Sequence, residues 1–221
     1  SLDLTYGDFD RSYQNDILVY KQSGERIFSY YSFNPNTVQQ CLDMMEKYKD
    51  RKIFKGIKIH PAWHKAFGHD PRYEAVFKYA SENALPILCH TWSISLTNPI
   101  QKFSVPSTLT RYASQYRDVR LILGHSGGRY GGMLEAIELA RSCPNVFCDV
   151  AGDIYLDRFV ETLVSRIGAD RVLYGSDYSM MDQRIMLGVV LGADISHEDK
   201  EKILCKNAAG IFNIPMPQEG A

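Results

Sequence analysis

Four apolar runs in this chain end on a side chain that can ligate a metal ion or carry a proton. GIKIH (56–60) ends in His60, PILCH (86–90) in His90, RLILGH (120–125) in His125 and RVLYGSD (171–177) in Asp177. Three of the six histidines thus fall at the ends of β-rich runs. Imidazole and carboxylate gathered in one place suit a divalent cation, which lowers the pKa of a bound water toward ~7. A neighbouring aspartate accepts that proton, and an imidazole donates one or steadies a developing oxyanion. Such a site hydrolyses amides, esters or lactones, or releases CO2 from a carboxylated molecule.

Side chains alternate along a strand, which brings in further polar residues. In GIKIH, Ile57 and Ile59 share one face and Lys58 and His60 the other. A buried charge is costly unless paired or used, so Lys58 is either an anchor for a substrate carboxylate or half of a buried ion pair. Asp149, in VFCDV, poses the same problem and reads as a structural hydrogen-bonding group. Trp92, Arg129 and Tyr178 follow strand ends closely and suit the lining of a pocket. Arg129 fits a carboxylate by bidentate pairing. His64 and His69 lie beyond His60, where the proline of HPAWH argues for a loop rather than a helical ligand pair.

The elements that must hold these residues alternate. Strand candidates are IFSYYS (27–32), 56–60, 86–90, 120–125, VFCDV (146–150) and 171–177. Their spacing, roughly 25 to 35 residues, is that of βαβ units. Between them, residues 13–20 read as a helix. Asp70 and Pro71 read as an N-cap and first helical position before Tyr73, Val76, Phe77 and Ala80. Met133, Ile137 and Ala140 mark a helix that Pro144 stops; Phe159, Leu163 and Ile167 mark one that ends at Gly168. A last helix runs from Ser196, an N-cap with Asp199 three residues on, to Ala209, with Ile203 and Ala208 facing the barrel. The fold class is α/β, a (β/α)8 TIM-barrel type with active-site residues at the C-terminal ends of the strands. Eight strands occupy about 250 residues in typical barrels. Six are legible here, so the first one or two strands are expected to be absent from this chain. Residues 1–221 then form a single barrel domain, N-terminally incomplete.

Composition agrees with a globular enzyme. Hydrophobic residues make up 45% of the 221 residues, and the net charge is −1. That balance marks neither a nucleic-acid nor a membrane surface. No apolar run approaches the ~18 residues of a membrane span, and the N-terminus lacks the pattern of a signal peptide. Five cysteines without a C-x-x-C pair read as reduced thiols of a cytoplasmic protein.

KGIKIHP, PILCHT, LILGHSGG, VFCDVAG, LYGSDY and the closing KNAAGIF resemble the amidohydrolase superfamily. The similarity covers the chain from Ile27 to Phe212. The nearest branch is the amidohydrolase-related group of aminocarboxymuconate-semialdehyde decarboxylase and its relatives. The resemblance implies that His90 is the metal-binding histidine of the fifth strand. It implies that His125 is the sixth-strand histidine, a second ligand in two-metal members and catalytic in the decarboxylases. Asp177 matches the eighth-strand aspartate, which touches the metal and handles the water proton. The family's first strand supplies two more ligands as His-x-His, and this sequence contains no such motif. The native protein is therefore expected to be longer at its N-terminus.

These readings give a metal-dependent hydrolase or decarboxylase of a small, carboxylated molecule. His90, His125 and Asp177 are its metal ligands, and Asp177 and His125 its catalytic groups. Lys58, His60, Trp92, Arg129 and Tyr178 are the expected substrate-binding residues. The cofactor is one divalent ion, zinc first and manganese second, and absent if the chain is incomplete. The expected partners are a small-molecule substrate and a second copy in a homodimer, with no nucleic acid and no membrane. The alternative is a degenerate barrel that binds a small molecule without turnover, favoured by the missing His-x-His. A phosphate-binding barrel fits poorly, because AGDIY and DYSMMD are acidic and lack a glycine-rich cradle.

Overall fold

The computed structural model describes residues 8–216. Six strands lie side by side in sequence order: β1 (Ser29–Ser32), β2 (Phe54–Ile59), β3 (Ile87–His90), β4 (Leu121–Gly124), β5 (Val146–Asp149) and β6 (Val172–Leu173). Every neighbouring pair is parallel. Helical segments fill the connections: α1 (Phe9–Gln22), α2 (Val38–Tyr48), α3 (Pro61–His64), α4 (Glu74–Glu82), α5 (Thr110–Gln115), α6 (Tyr130–Ser142), α7 (Phe159–Ile167), α8 (Gln183–Gly192), α9 (His197–Glu201) and α10 (Asn207–Phe212). This is an open six-stranded sector of a (β/α)8-type barrel, as the spacing predicts.

Alternation along the strands separates two apolar layers. Ile57, Ile59, Ile87, Cys89, Leu121, Leu123, Val146, Cys148 and Val172 point outward into the main core. There they meet Phe77 and Ala80 of α4, Met133 and Ile137 of α6, and Leu163 of α7. The inner face carries a smaller cluster. Leu88, Ile122 and Phe147 lie in register across β3, β4 and β5, and with Leu173 they pack against Ala208, Ile211 and Phe212 of α10. The final helix thereby lays an apolar floor under the inner face.

Local signals set most boundaries. Asp70 caps a 3-10 turn that begins at Pro71 and leads into α4, its carboxylate accepting from the Arg72 N–H. Ser196 caps α9 in the same way through Asp199 N–H. Two expectations need correction. HPAWH is not a loop: Pro61 sits at the first helical position of α3, where a missing N–H costs nothing, and the His60 ring caps the turn. The run over 171–177 is a strand for two residues only. Beyond Leu173 the Tyr174 N–H bonds to the Ile203 carbonyl (2.7 Å), and Asn207 Nδ2 donates to the Ala169 and Val172 carbonyls, each at 2.7 Å. The last helical segment takes the place of a ladder partner, and the chain leaves the sheet. Asp177 thus stands in an exposed loop, four residues past the strand.

Candidate active site

His60, His90 and His125 follow or end three adjacent strands, and their rings meet. His90 ends β3 and is 9% exposed. Its ring lies flat on that of His60, with centroids 3.8 Å apart, and edge-on to His125 at 4.9 Å. Trp63 stacks on the far side of His60 (4.2 Å), and Trp92 packs against His125 (5.5 Å, edge-on).

Hydrogen bonds fix the tautomers, because carbonyl oxygens only accept. His125 Nδ1 donates to the Ala151 carbonyl (3.1 Å), which leaves Nε2 as its free acceptor. His90 Nε2 donates to Gln101 Oε1 (3.1 Å), leaving Nδ1 free. His60 Nδ1 instead accepts from the Trp63 N–H (3.3 Å). Burial holds the His60 and His90 rings neutral. It pushes His60 down to about 2, assisted by the charge of Lys58. It also drives His90 well below the ordinary histidine range, with His60 and His125 adding to the effect.

His125 stands on an unusual stretch of backbone. Residues 125 to 128 have φ of 65°, 45°, 77° and 76°. Two are glycines, yet His125 and Ser126 bear side chains in the left-handed region, which is strained. The His125 N–H donates to Asp149 Oδ1 (2.7 Å), and Ser126 Oγ donates to the Asp149 carbonyl (2.5 Å). A Cβ on Gly128 would lie 2.6 Å from the Trp92 ring, so only glycine lets the turn and the indole touch.

Two cavities meet at His125 and Asp177, which line both. The first, about 420 Å³, has Leu88, Ile122, Leu173 and Phe212 as its floor and Lys58, Asp149 and Tyr178 at polar positions. The second, about 430 Å³, is lined by His90, Trp92, Gln101, Arg129 and Asp153. Lys58 is half-buried, and among the described residues its ammonium makes no hydrogen bond or ion pair within 4 Å. Burial lowers its pKa, against the opposing pull of the Asp149 and Asp177 carboxylates. Arg129, on the rim, is held 3.5 Å from Asp153 and is largely exposed. Tyr178 is exposed at the mouth of the first cavity.

The residues expected from the sequence therefore divide. His90, His125, Asp177, Trp92 and Arg129 surround the second cavity; Lys58, Tyr178, His125 and Asp177 the first. His60 lines neither, and reaches the site through its stack on His90. Gln101 and Asp153 have no signature in the sequence; Gln101 lies in a 3-10 segment (Pro99–Ser104) and Asp153 in an irregular connection, and both enter only through the fold. A zinc site normally has about three protein donors and an open position. Among the described residues no group of three or more His, Cys, Asp or Glu side chains is placed to hold a metal ion. The free lone pairs of His90 and His125 and the Asp177 carboxylate border one cavity without converging. They do not make a complete metal site by themselves.

A family model described as Amidohydrolase matches residues 2–214. No curated protein matches the chain. An uncharacterised TIM-barrel protein from Bordetella bronchiseptica superposes with a TM-score of 0.76 at 17% identity, over 91% of this chain and 72% of its own. A 2,6-dihydroxybenzoate decarboxylase from Rhizobium gives 0.73 at 13% identity, over 93% and 77%. The 5-carboxyvanillate decarboxylase of Novosphingobium aromaticivorans, solved with manganese and 4-hydroxy-3-methoxy-5-nitrobenzoic acid, gives 0.74 at 16% identity, over 93% and 69%. At such identities the structural likeness is one of fold, and the family match carries the assignment: this chain belongs to the amidohydrolase family and is an enzyme of that type.

Proposed function

We propose that the protein hydrolyses or decarboxylates a small carboxylated molecule at the junction of the two cavities. The observation that carries this reading is the shared wall: His125 and Asp177 are the two titratable groups exposed to both chambers. A substrate seated there presents its reacting carbon between the His125 imidazole and the Asp177 side chain. In hydrolysis His125 Nε2, left free by the Nδ1 bond to Ala151, takes a proton from the attacking water and passes it to the leaving group; in decarboxylation it passes a proton taken from solvent to the carbon that loses CO2. Asp177 is the second proton acceptor. Lys58 on one side and Arg129 on the other supply positive charge for a carboxylate. His90, held neutral by burial and backed by the equally neutral His60 ring stacked on it, offers an uncharged wall.

The family and the manganese-bound neighbour support a divalent ion, zinc or manganese, as the cofactor. No step is routed through it, because the described donors fall short of a complete site. That same shortfall favours a second reading, a binding module without turnover. Assays on the full-length native protein separate the two. Metal content is measured first, and then CO2 release from hydroxybenzoates and carboxyvanillate and hydrolysis of small esters and lactones are followed. Turnover that falls with His125→Asn and Asp177→Asn supports the enzyme reading. Saturable binding of the same acids without turnover, with or without added zinc or manganese, replaces it with the binding module.

A further inference from the structure

We infer that Asp149 is a positioning residue for His125, acting on the backbone of the turn rather than on a substrate. The inference rests on the reading of His125 as an active-site group. It stands on four hydrogen bonds within one small region. Asp149 is the last residue of β5, on the inner face beside the first cavity, and it is 8% exposed. Its Oδ1 accepts two backbone N–H groups, from His125 (2.7 Å) and from Ala151 (3.0 Å). Its own carbonyl accepts from Ser126 Oγ (2.5 Å). Ala151, which the carboxylate holds by its N–H, in turn accepts from the His125 ring at Nδ1 (3.1 Å). One carboxylate oxygen thereby ties the main chain of His125 to the residue that orients its imidazole.

The strain in the turn explains why such a tie is needed. Two residues with side chains, His125 and Ser126, sit in the left-handed region at φ 65° and 45°. A backbone so held persists only where the surroundings over-determine it. Gly127 N–H is fixed by Thr91 Oγ1 (2.9 Å) and Gly128 N–H by the His125 carbonyl (2.6 Å). The N–H of His125 itself is fixed by Asp149. Without that acceptor a buried donor is left unpaired at one of the two strained residues of the turn. The turn would relax toward ordinary φ and carry the imidazole away from the cavities. Other duties open to a buried aspartate make a different demand. A counter-charge for Lys58, or a proton carrier, needs the negative charge; the tie needs only the Oδ1 acceptor, which asparagine keeps.

The experiment compares Asp149→Asn and Asp149→Ala in the full-length protein, with two readouts: steady-state kinetics on a turned-over acid, and NMR of the His125 amide and ring nitrogens in protein labelled at histidine. In Asp149→Ala the His125 resonances move and kcat falls by about a hundredfold, the scale of a misplaced reacting group, while KM stays within about threefold. Asp149→Asn restores the resonances and brings kcat to within about tenfold of the parent, since a neutral acceptor gives a weaker bond than a charged one. The inference is overturned if Asp149→Asn is as inactive as Asp149→Ala, or if His125 resonances are unmoved in Asp149→Ala. Should Asp149→Ala not fold, the isosteric Asp149→Asn decides alone: kcat within tenfold supports the tie, and a loss as deep as that of His125→Asn sinks it. If no acid is turned over by the parent protein, the functional reading of His125 has failed, and the NMR arm still tests the tie.

Discussion

The imidazoles of His60 and His90 lie face to face, 3.8 Å between centroids and 9° between planes, and both are buried. Two stacked rings at that distance cannot both be cations. Burial acts first on each, and Lys58, His64 and His125 add repulsion around His60, so its pKa falls from 6.5 to about 2. The sequence places the two residues at equivalent strand ends; the stack follows from the parallel register of β2 and β3.

This pairing predicts an acid-sensitive fold. In the folded state His60 and His90 bind protons far less readily than in the unfolded chain, so protons favour unfolding below the unfolded value. The stability that depends on them is complete above pH 6.5 and is lost progressively as the pH falls from there toward 2. Urea midpoints, taken with a chelator present so that metal does not compete for the rings, should be level above pH 7 and decline below 6.5. His60→Asn should flatten that decline. A midpoint that stays constant from pH 7 to pH 5 would contradict the neutral stack.

In the proposed mechanism Asp177 is a proton acceptor. Its φ of 57° lies in the left-handed region, which asparagine tolerates, and its side chain is exposed rather than packed in the core. Asp177→Asn should therefore fold with an unchanged melting temperature. Its turnover on a confirmed substrate should drop more than a hundredfold, because general-base assistance contributes ~10²–10⁴. Metal content measured beside activity separates a lost ligand from a lost base. Full turnover in the variant would remove Asp177 from the mechanism.

Thiol chemistry tests the packing. Cys41, Cys89, Cys143 and Cys148 are free and buried, and Cys205 is half-buried. Burial pushes the Cys89 and Cys148 thiols up to about 12, where the reactive thiolate is scarce. A disulfide reagent at pH 8 should find one fast thiol in the native protein, and Cys205→Ser should abolish it. Rapid labelling of the Cys205→Ser variant would show the outer layer of the sheet to be open.

Much of the fold is legible because one signal repeats. Inner and outer residues of β2 to β5 separate by simple alternation, and Asp70, Ser196 and Gly168 mark helix ends by their own chemistry. The shortness of β6 is not legible, because RVLYGSD carries the composition of a strand along its whole length. What ends it is a hydrogen bond from Tyr174 to Ile203, a partner far away in sequence. The site divides in the same way. His90, His125 and Asp177 are visible as strand-end residues, whereas Gln101 arrives from a short 3-10 segment and Asp153 from an irregular connection, neither of which the sequence announces. The role of Asp149 is hidden too: its position on the inner face is readable, but the turn it holds depends on four positive φ angles that no composition announces.

Gly152 offers the sharpest test of how tightly His125 is placed. Its φ is 99°, and a Cβ built there would sit 2.7 Å from His125 Nδ1, the atom that donates to the Ala151 carbonyl. Gly152→Ala therefore does two things at once. It strains the backbone, as any Gly→Ala change does at positive φ, and it drives the imidazole off its acceptor. Gly24→Ala supplies the control for the first effect. Gly24 also has a positive φ, 64°, but nothing lies within 4 Å of the added Cβ, and the residue stands in the turn after α1, outside both cavities. Both variants should melt a few degrees lower, on the order of the ~1 kcal/mol that such strain costs. Only Gly152→Ala should lose turnover, by tenfold or more on the ~1 Å scale of displacement that catalysis does not tolerate, and only there should the His125 ring resonances shift. If the two variants kept the same turnover, or lost it alike, the contact between Gly152 and His125 would have no bearing on the reaction, and the wall between the two cavities would have to be built from other residues.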